Sequence, residues 1–352
     1  MGTKSAQMAS LESDSDRVVV KTPTSAPTSA TSAVLAVVAL IALFLAPLVG
    51  NKYIIFLITL ILINVISVQG LNFLIGYTGQ LSLGHGAFVA LGAYLTAILC
   101  NTYSASFWVV IVIVPLATGL VGVLVALPAL RLKGLYLAMV TLAFHMVVSL
   151  GLMSLDDITG GYQGMAVPNP RLGSVVFNTE GHFYYLALLC ALLIYAASAN
   201  VARSKFYRGF IAVKEKEISA QAMGISLWYY KTLAFLFASI YGGLAGCLFA
   251  VTMGHVTPNH FPMMMSIEFI MMITVGGPGS FVGLTIGASL ITLLPYFLLY
   301  AVQEMGTVVP SVVVYFADIK IVIYGLVLVG SLMFLPGGLY GLKAKVQGWL
   351  AK

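Results

Sequence analysis

Residues 203–231 read RSKFYRGFIAVKEKEISAQAMGISLWYYK, the one long charged island in a chain of 352 residues. The island carries Arg203, Lys205, Arg208, Lys214, Lys216 and Lys231 against Glu215 and Glu217. On both sides the sequence is oily. Overall 60% of residues are hydrophobic and 8% charged, where soluble domains carry about a quarter charged residues. Such an island reads as a surface loop, and the apolar runs flanking it read as membrane spans.

Working outward, the apolar runs approach the roughly 20 residues that one helical crossing needs. They fall near 32–50, 53–70, 85–100, 107–127, 134–152, 183–200, 231–253, 281–300 and 319–335, with a shorter apolar piece near 265–275. The expected fold class is all-α: a polytopic membrane helical bundle of eight to ten spans with broken helices. No ten-residue alternation supports a membrane barrel. Residues 1–31 are polar and rich in Ser, Thr and Ala, and read as a disordered cytoplasmic tail. Residues 32–342 form the expected transmembrane domain, its first span uncleaved, and 343–352 a second cytoplasmic tail.

The net charge of +6 invites a nucleic-acid reading, but its distribution points elsewhere. With the N-terminus cytoplasmic, Lys4, Arg17, Lys21, Arg131, Lys133, the six island residues, Lys343, Lys345 and Lys352 lie inside. Lys52, Arg171 and Lys320 lie outside, a split of 14 to 3. This is the positive-inside bias of membrane proteins. No nucleic-acid partner is expected. Contact with membrane lipid is. Cys100, Cys190 and Cys247 are isolated in or at the end of apolar stretches and read as buried free thiols.

Two places interrupt the helical pattern. Gly76-Tyr-Thr-Gly-Gln-Leu-Ser-Leu-Gly-His-Gly86 sets four glycines among hydroxyl and amide groups just before a span. Gly276-Gly-Pro-Gly-Ser280 divides the piece at 265–275 from the next span. Backbone groups freed there must be satisfied by protein or by a wet cavity, so broken helices at membrane depth point to a substrate path. Ordinary turns at the membrane surface fit the same residues. On the first reading Gln80, Ser82, His85, Gly276, Gly277, Pro278 and Gly279 belong to the substrate pathway. The segments Gly84–Leu91 and Gly277–Leu284 also share Gly, Gly, Phe, Val and Leu, the pattern of a parallel internal repeat.

Several chemistries have nothing to stand on. No Gly-x-x-x-x-Gly-Lys-[Ser/Thr] loop occurs, and neither His-Glu-x-x-His nor paired cysteines occur, so no enzyme activity, metal or cofactor is expected in this chain. Ionisable groups within spans are few, and each costs roughly 2.5–3.5 kcal/mol at mid-helix on insertion scales. His145 reads as a hydrogen-bonded packing residue, and Asp318 with Lys320 as an interfacial anchor. Glu268, in the short broken piece, fits both a pathway carboxylate and a helix-end cap. An apolar path of this kind suits a hydrophobic or zwitterionic solute driven from outside the chain. Residues 209–226 contain no proline and keep apolar positions at Phe210, Ile211, Val213, Ile218, Ala222 and Met223. They permit a short helix on the membrane surface, resting on anionic lipid or docking a soluble motor.

Taken together these segments resemble the M-type permease subunit of branched-chain (hydrophobic) amino-acid ABC importers. The resemblance runs from about Gly70 to Leu342. It is carried by Gly70–Gly86, Gly134-Leu-Tyr with Thr141-Leu-Ala-Phe144, Ile158-Thr-Gly-Gly161, Arg208–Gly224, Ser266–Gly287 and Leu335-Pro-Gly-Gly338. It implies a subunit of an ATP-driven importer in a bacterial cytoplasmic membrane, working with a second related permease, two ATP-binding subunits and a periplasmic substrate-binding protein. ATP would be bound by the partners. Glu217, Ala220 and Gly224 fall where such permeases carry the Glu-Ala-Ala…Gly loop that enters a cleft on the ATPase. Arg208, Lys214, Glu215 and Ala222 complete the implied coupling set. Tyr207 and Gly209 flank Arg208 where the family pattern is closer to Gly-Arg-Ala, Lys214 replaces a common arginine, and Ser219 an alanine. Permeases for urea and short amides share much of this pattern. An ion-coupled carrier using Glu268 and a passive channel are the rivals from other classes.

Overall fold

The computed structural model describes residues 43–47, 50–132, 134–172, 175–177, 179–306, 316–334 and 337–339. The chain divides into two compact units, Met1–Leu45 and Ala46–Lys352. Only 43–45 of the first are described, and most of the expected span at 32–50 lies outside the described residues. Among its described residues the larger unit is mainly helical. Its main elements are α1 (Lys52–Asn72), α2 (His85–Thr102), α3 (Phe107–Ala129), α4 (Leu135–Ser154) and α5 (Glu180–Arg203). Next come α6 (Lys205–Glu215), α7 (Glu217–Ala222), α8 (Leu227–Met253), α9 (Met263–Gly276), α10 (Phe281–Gly306) and α11 (Phe316–Phe334).

Among the described residues, seven helices are long and apolar enough to cross a membrane, and Ile319–Met333 of α11 is a shorter apolar helix. The outward face of α3 shows why the solvent is lipid. Val109, Val112, Ile113, Leu116, Leu120 and Leu124 all point out, each about half exposed or more. A continuous apolar belt of that size is not stable against water. The chain is a multi-pass membrane protein.

Helix α8 is the axis of the bundle and packs along α1, α2 and α3. Its Gly242-Gly243-Leu-Ala-Gly246 run makes this possible. A Cβ on Gly246 would sit 2.0 Å from the Val89 carbonyl oxygen of α2, and one on Gly243 would sit 1.9 Å from the Thr118 hydroxyl of α3. Small residues substitute here for the hydrophobic driving force that lipid does not supply.

One end of the bundle, where α6 and α7 connect α5 to α8, is the basic end. At the other end two short strands, β1 (Met165–Ala166) and β4 (His255–Val256), pair antiparallel, and β2 (Arg171–Leu172) pairs with β3 (Val175–Val176). Asn101, late in α2, donates to the Ala166 carbonyl at 2.5 Å, so α2 runs away from the basic end. Asn64 of α1 donates to Thr292 of α10 at 2.8 Å, and Tyr53 meets Tyr296 edge-on at 6.4 Å. Helix α10 therefore runs against α1 and in the same sense as α2, the direction that the proposed parallel repeat requires.

The shorter piece at 265–275 does not cross fully. Helix α9 begins at Met263, Ser266 in its first turn meets His145 halfway along α4, and the helix ends at the basic end. The sequence shows the apolar run but not its starting height, because the preceding residues 257–262 turn back into the bundle without a charged marker.

Candidate functional site

The charged island folds as two short helices rather than one. Ser204 caps α6, its hydroxyl accepting from the Phe206 amide at 3.2 Å. The apolar side of α6 buries Tyr207, Gly209, Phe210 and Val213, while Arg208 stays exposed. Phe210 meets Phe73 of α1 at 6.1 Å and Tyr230 of α8 at 5.7 Å, and Tyr207 meets Tyr77 at 5.1 Å. Gly209 is forced by its neighbour: a Cβ there would lie 2.1 Å from the Tyr230 ring. The departures from the Gly-Arg-Ala pattern thus form a matched aromatic set.

Lys216 adopts an extended conformation, φ −149 and ψ 104, and separates the helices. Neither glycine nor proline marks this break, so periodicity alone reads straight through it. Helix α7 then ends in a Schellman turn. The Ile225 amide donates to the Ala220 carbonyl at 3.0 Å and the Gly224 amide to the Gln221 carbonyl at 2.9 Å, with Gly224 at φ +79. That conformation favours glycine. Ala220 is buried, whereas Ile218 and Met223 are 80% and 71% exposed. Glu215, Ser219 and Ala222 are exposed beside them. Glu217 points the other way. Its carboxylate pairs with Lys231 at 2.5 Å, where α8 enters the bundle, the lysine side chain only 6% exposed. Glu217 therefore holds the element down while its neighbours face outward.

Lys214 makes the second attachment. Helix α1 does not end at Asn72 but tightens into a π-helical turn over Phe73–Tyr77, which leaves carbonyls without ladder partners. The Lys214 ammonium donates to the Gly76 carbonyl at 2.8 Å. Its own partial burial lowers the Lys214 pKa from the ordinary lysine range, opposed in part by Glu215. Four residues before Gly76, the Asn72 side-chain oxygen accepts from the Gly279 amide at 2.9 Å. The second break is thus a turn at the basic end, with Gly276 and Gly277 buried, Pro278 exposed at its tip, and Gly277 and Gly279 at φ +105 and +87. Gly338 packs against Gly277.

The first break climbs instead to half-height. The Leu83 amide donates to the Thr141 hydroxyl at 2.9 Å, and the Gly86 amide to the Ser266 hydroxyl at 3.0 Å. Ser266 also meets His145 Nδ1 at 3.0 Å, and His145 Nε2 lies 3.3 Å from the Phe261 carbonyl. His85 is fully buried, with Nε2 2.9 Å from the Ser67 carbonyl. Ser82, also fully buried, accepts from the Gly84 amide at 3.4 Å. The starts of α2 and α9 therefore meet in mid-bundle, inside a shell of polar side chains.

The residues grouped by sequence as one pathway occupy three places. Ser82 and His85 sit at half-height. Gln80 lies at the basic end beside Lys214 and Glu217, as does the Gly276–Gly279 turn. Glu268 faces α11, its carboxylate 3.3 Å from the Lys320 ammonium, which also lies 5.1 Å from the Tyr324 ring centroid. Lys320 is thus partner to a carboxylate on another helix. Sequence reasoning gave Asn72, Thr141, Ser266 and Lys231 no place in a site, although a polar residue within or at the edge of an apolar run was the available signal for each.

A bundle of apolar helices with interrupted spans and a structured basic element pinned to one interruption defines a polytopic membrane protein. The family model described as the branched-chain amino acid transport system permease component matches residues 53–332. The chain belongs to that family. It is 34% identical to the high-affinity branched-chain amino acid transport system permease protein LivM of Escherichia coli (strain K12), over 63% of this chain and 58% of the relative. It is 33% identical to the protein of the same description from Salmonella typhimurium (strain LT2), over the same shares. The match therefore spans 58% of the length of these relatives. No solved structure matches the chain.

Proposed function

We propose that this chain is a permease subunit of an ATP-driven importer of branched-chain or other hydrophobic amino acids in a bacterial cytoplasmic membrane. In this reading the N-terminus and the basic end are cytoplasmic. A second related permease completes the pathway, two ATP-binding subunits dock on the basic end, and a substrate-binding protein delivers cargo on the opposite side.

The observation that carries the reading is the construction of α6–α7. Outward, it offers Ile218 and Met223, two large apolar side chains standing in solvent with exposed charged residues around them. Inward, it is pinned by Glu217–Lys231 to α8 and by Lys214 to the Gly76 carbonyl. A force applied to the exposed face is delivered to the interrupted end of α1, and through Asn72 to the turn before α10. The coupling role of Arg208, Lys214, Glu215, Glu217, Ala220, Ala222 and Gly224 then divides into contact and anchorage. Arg208, Glu215 and Ala222 face the partner, while Lys214, Glu217, Ala220 and Gly224 hold the shape. The Ser82–His85 segment at half-height is the part of the pathway that such a movement would open.

The Glu268–Lys320 pair favours this over an ion-coupled carrier, because a carboxylate neutralised by an intramolecular lysine is poorly placed to exchange a proton or sodium ion. The experiment is copurification with uptake. Ile218→Asp, at a site exposed enough to spare folding, is expected to release the ATP-binding subunits and abolish ATP-dependent leucine uptake. Retention of both by this variant would refute the docking assignment.

A further inference from the structure

Three elements meet at half-height around one hydroxyl. The Gly86 amide at the start of α2 donates to Ser266 Oγ at 3.0 Å, and Ser266 Oγ lies 3.0 Å from His145 Nδ1 in the middle of α4. The other ring nitrogen, Nε2, lies 3.3 Å from the Phe261 carbonyl in the turn before α9. We infer that Ser266 is a latch that shuts the half-height junction, and that His145 is the positioning residue that gives the latch its direction. Its part in opening rests on the importer reading above and names the contact that must break when that machine turns over.

The direction of each bond follows from its partners. A carbonyl oxygen only accepts, so Nε2 carries the hydrogen, and in the neutral ring Nδ1 is left as an acceptor. The Ser266 hydroxyl therefore donates to Nδ1 while its oxygen accepts from the Gly86 amide. Ser266 and His145 are both buried, so solvent does not stand ready to replace a lost partner. The approach is as close as the chain allows. A Cβ on Gly86 would lie 2.8 Å from His145 Cε1 and 2.9 Å from Ser266 Oγ, so glycine is what lets the start of α2 reach the hydroxyl.

Among the described residues, the side-chain hydrogen bonds from α9 to α2 and to α4 both pass through this one oxygen. The far end of α9 is Gly276, where the turn held by Asn72 begins. Ser266 stands ten residues before it, about 15 Å along the helix. Helix α9 is thus a rod with the force-receiving turn at one end and the latch at the other. A 3.0 Å hydrogen bond is lost once its atoms part by about half an ångström more, so a small shift of the rod releases it.

The test uses the assembled transporter in vesicles, with the native cysteines replaced and Ser82→Cys as reporter, a buried position four residues before Gly86. A small charged thiol reagent is supplied on both sides of the membrane. Ser266→Ala and His145→Leu are expected to speed labelling at rest about tenfold. His145→Asn, whose side-chain oxygen takes the place of Nδ1, should label at nearly the parent rate. ATP with leucine should speed labelling of the parent and leave Ser266→Ala almost unchanged. The unsubstituted complex gives a measure that depends on no variant's folding. Gly86 is the second residue of α2, so its amide has no ladder partner and its hydrogen exchange follows the latch. That exchange is expected to rise about tenfold during turnover. Slow labelling of Ser266→Ala, equal labelling of His145→Asn and His145→Leu, or unchanged exchange at Gly86 during ATP-driven uptake overturns the latch. Fast labelling of Ser266→Ala in a complex whose parent does not respond to ATP keeps the latch and sinks the importer reading.

Discussion

At the scale of single residues, the two attachments of the basic element carry separable consequences. Glu217→Lys sets two ammonium groups against each other at the mouth of α8. Breaking a buried pair costs about 3–5 kcal/mol, and with Glu217 a quarter exposed the lower end applies. Thermal unfolding in detergent should show the loss, and Glu217→Lys combined with Lys231→Glu should recover part of it. Lys214→Met removes one charge-assisted hydrogen bond to a backbone oxygen, an interaction worth up to about 1.5–3 kcal/mol and less at a partly exposed position. Its expected signature is functional: ATP hydrolysis continues in the complex while uptake falls. Neither contact was legible in the chain. Lys214 and Gly76 are 138 positions apart, and no local pattern announces that an ammonium will complete a helix end so distant in sequence.

At the scale of elements, legibility followed the physics of each signal. Long apolar runs mark spans directly, because lipid demands them, and the spans from 53 onward correspond to helices. Glycine clusters marked both interruptions, yet they could not tell a turn at the bundle's end from a climb to its middle. That difference lies in what satisfies the freed amides, Asn72 in one case and Thr141 with Ser266 in the other. Helix α7 depends on one residue's conformation. Gly224→Ala should cost about 1 kcal/mol at its positive φ, with no steric clash, and should reduce retention of the ATP-binding subunits without loss of membrane insertion. The core helices respond to size instead. Gly246→Val drives a side chain into the α2 backbone and should abolish a monodisperse peak in size-exclusion chromatography. Gly330→Val, with nothing within 4 Å, should leave that peak intact.

At the scale of the molecule, the importer proposed above requires the basic element and the end of α1 to shift together relative to the rest. Gly79 and Lys214 report on this. A Cβ built on Gly79 lies 4.0 Å from that of Lys214, within the range a disulfide spans. Gly79→Cys with Lys214→Cys, in a background lacking the native cysteines, should cross-link on oxidation and leave uptake no lower than in the reduced double variant, because the bond joins two parts that move as one. Arrest of uptake on oxidation, reversed by reduction, would mean that this junction must open during turnover and would overturn the transmission of force through it. The facing starts of α2 and α9 have one more consequence. Each helix start carries a partial positive charge of about half an electron, and here two of them lie buried in mid-bundle with His85 and His145 beside them. Sodium ions and hydronium meet an electrostatic hill at that depth, while a dipolar solute can orient its negative end toward it. Along the pathway proposed above, the membrane voltage would thus be defended by the architecture of the passage itself, even at moments when no gate is shut.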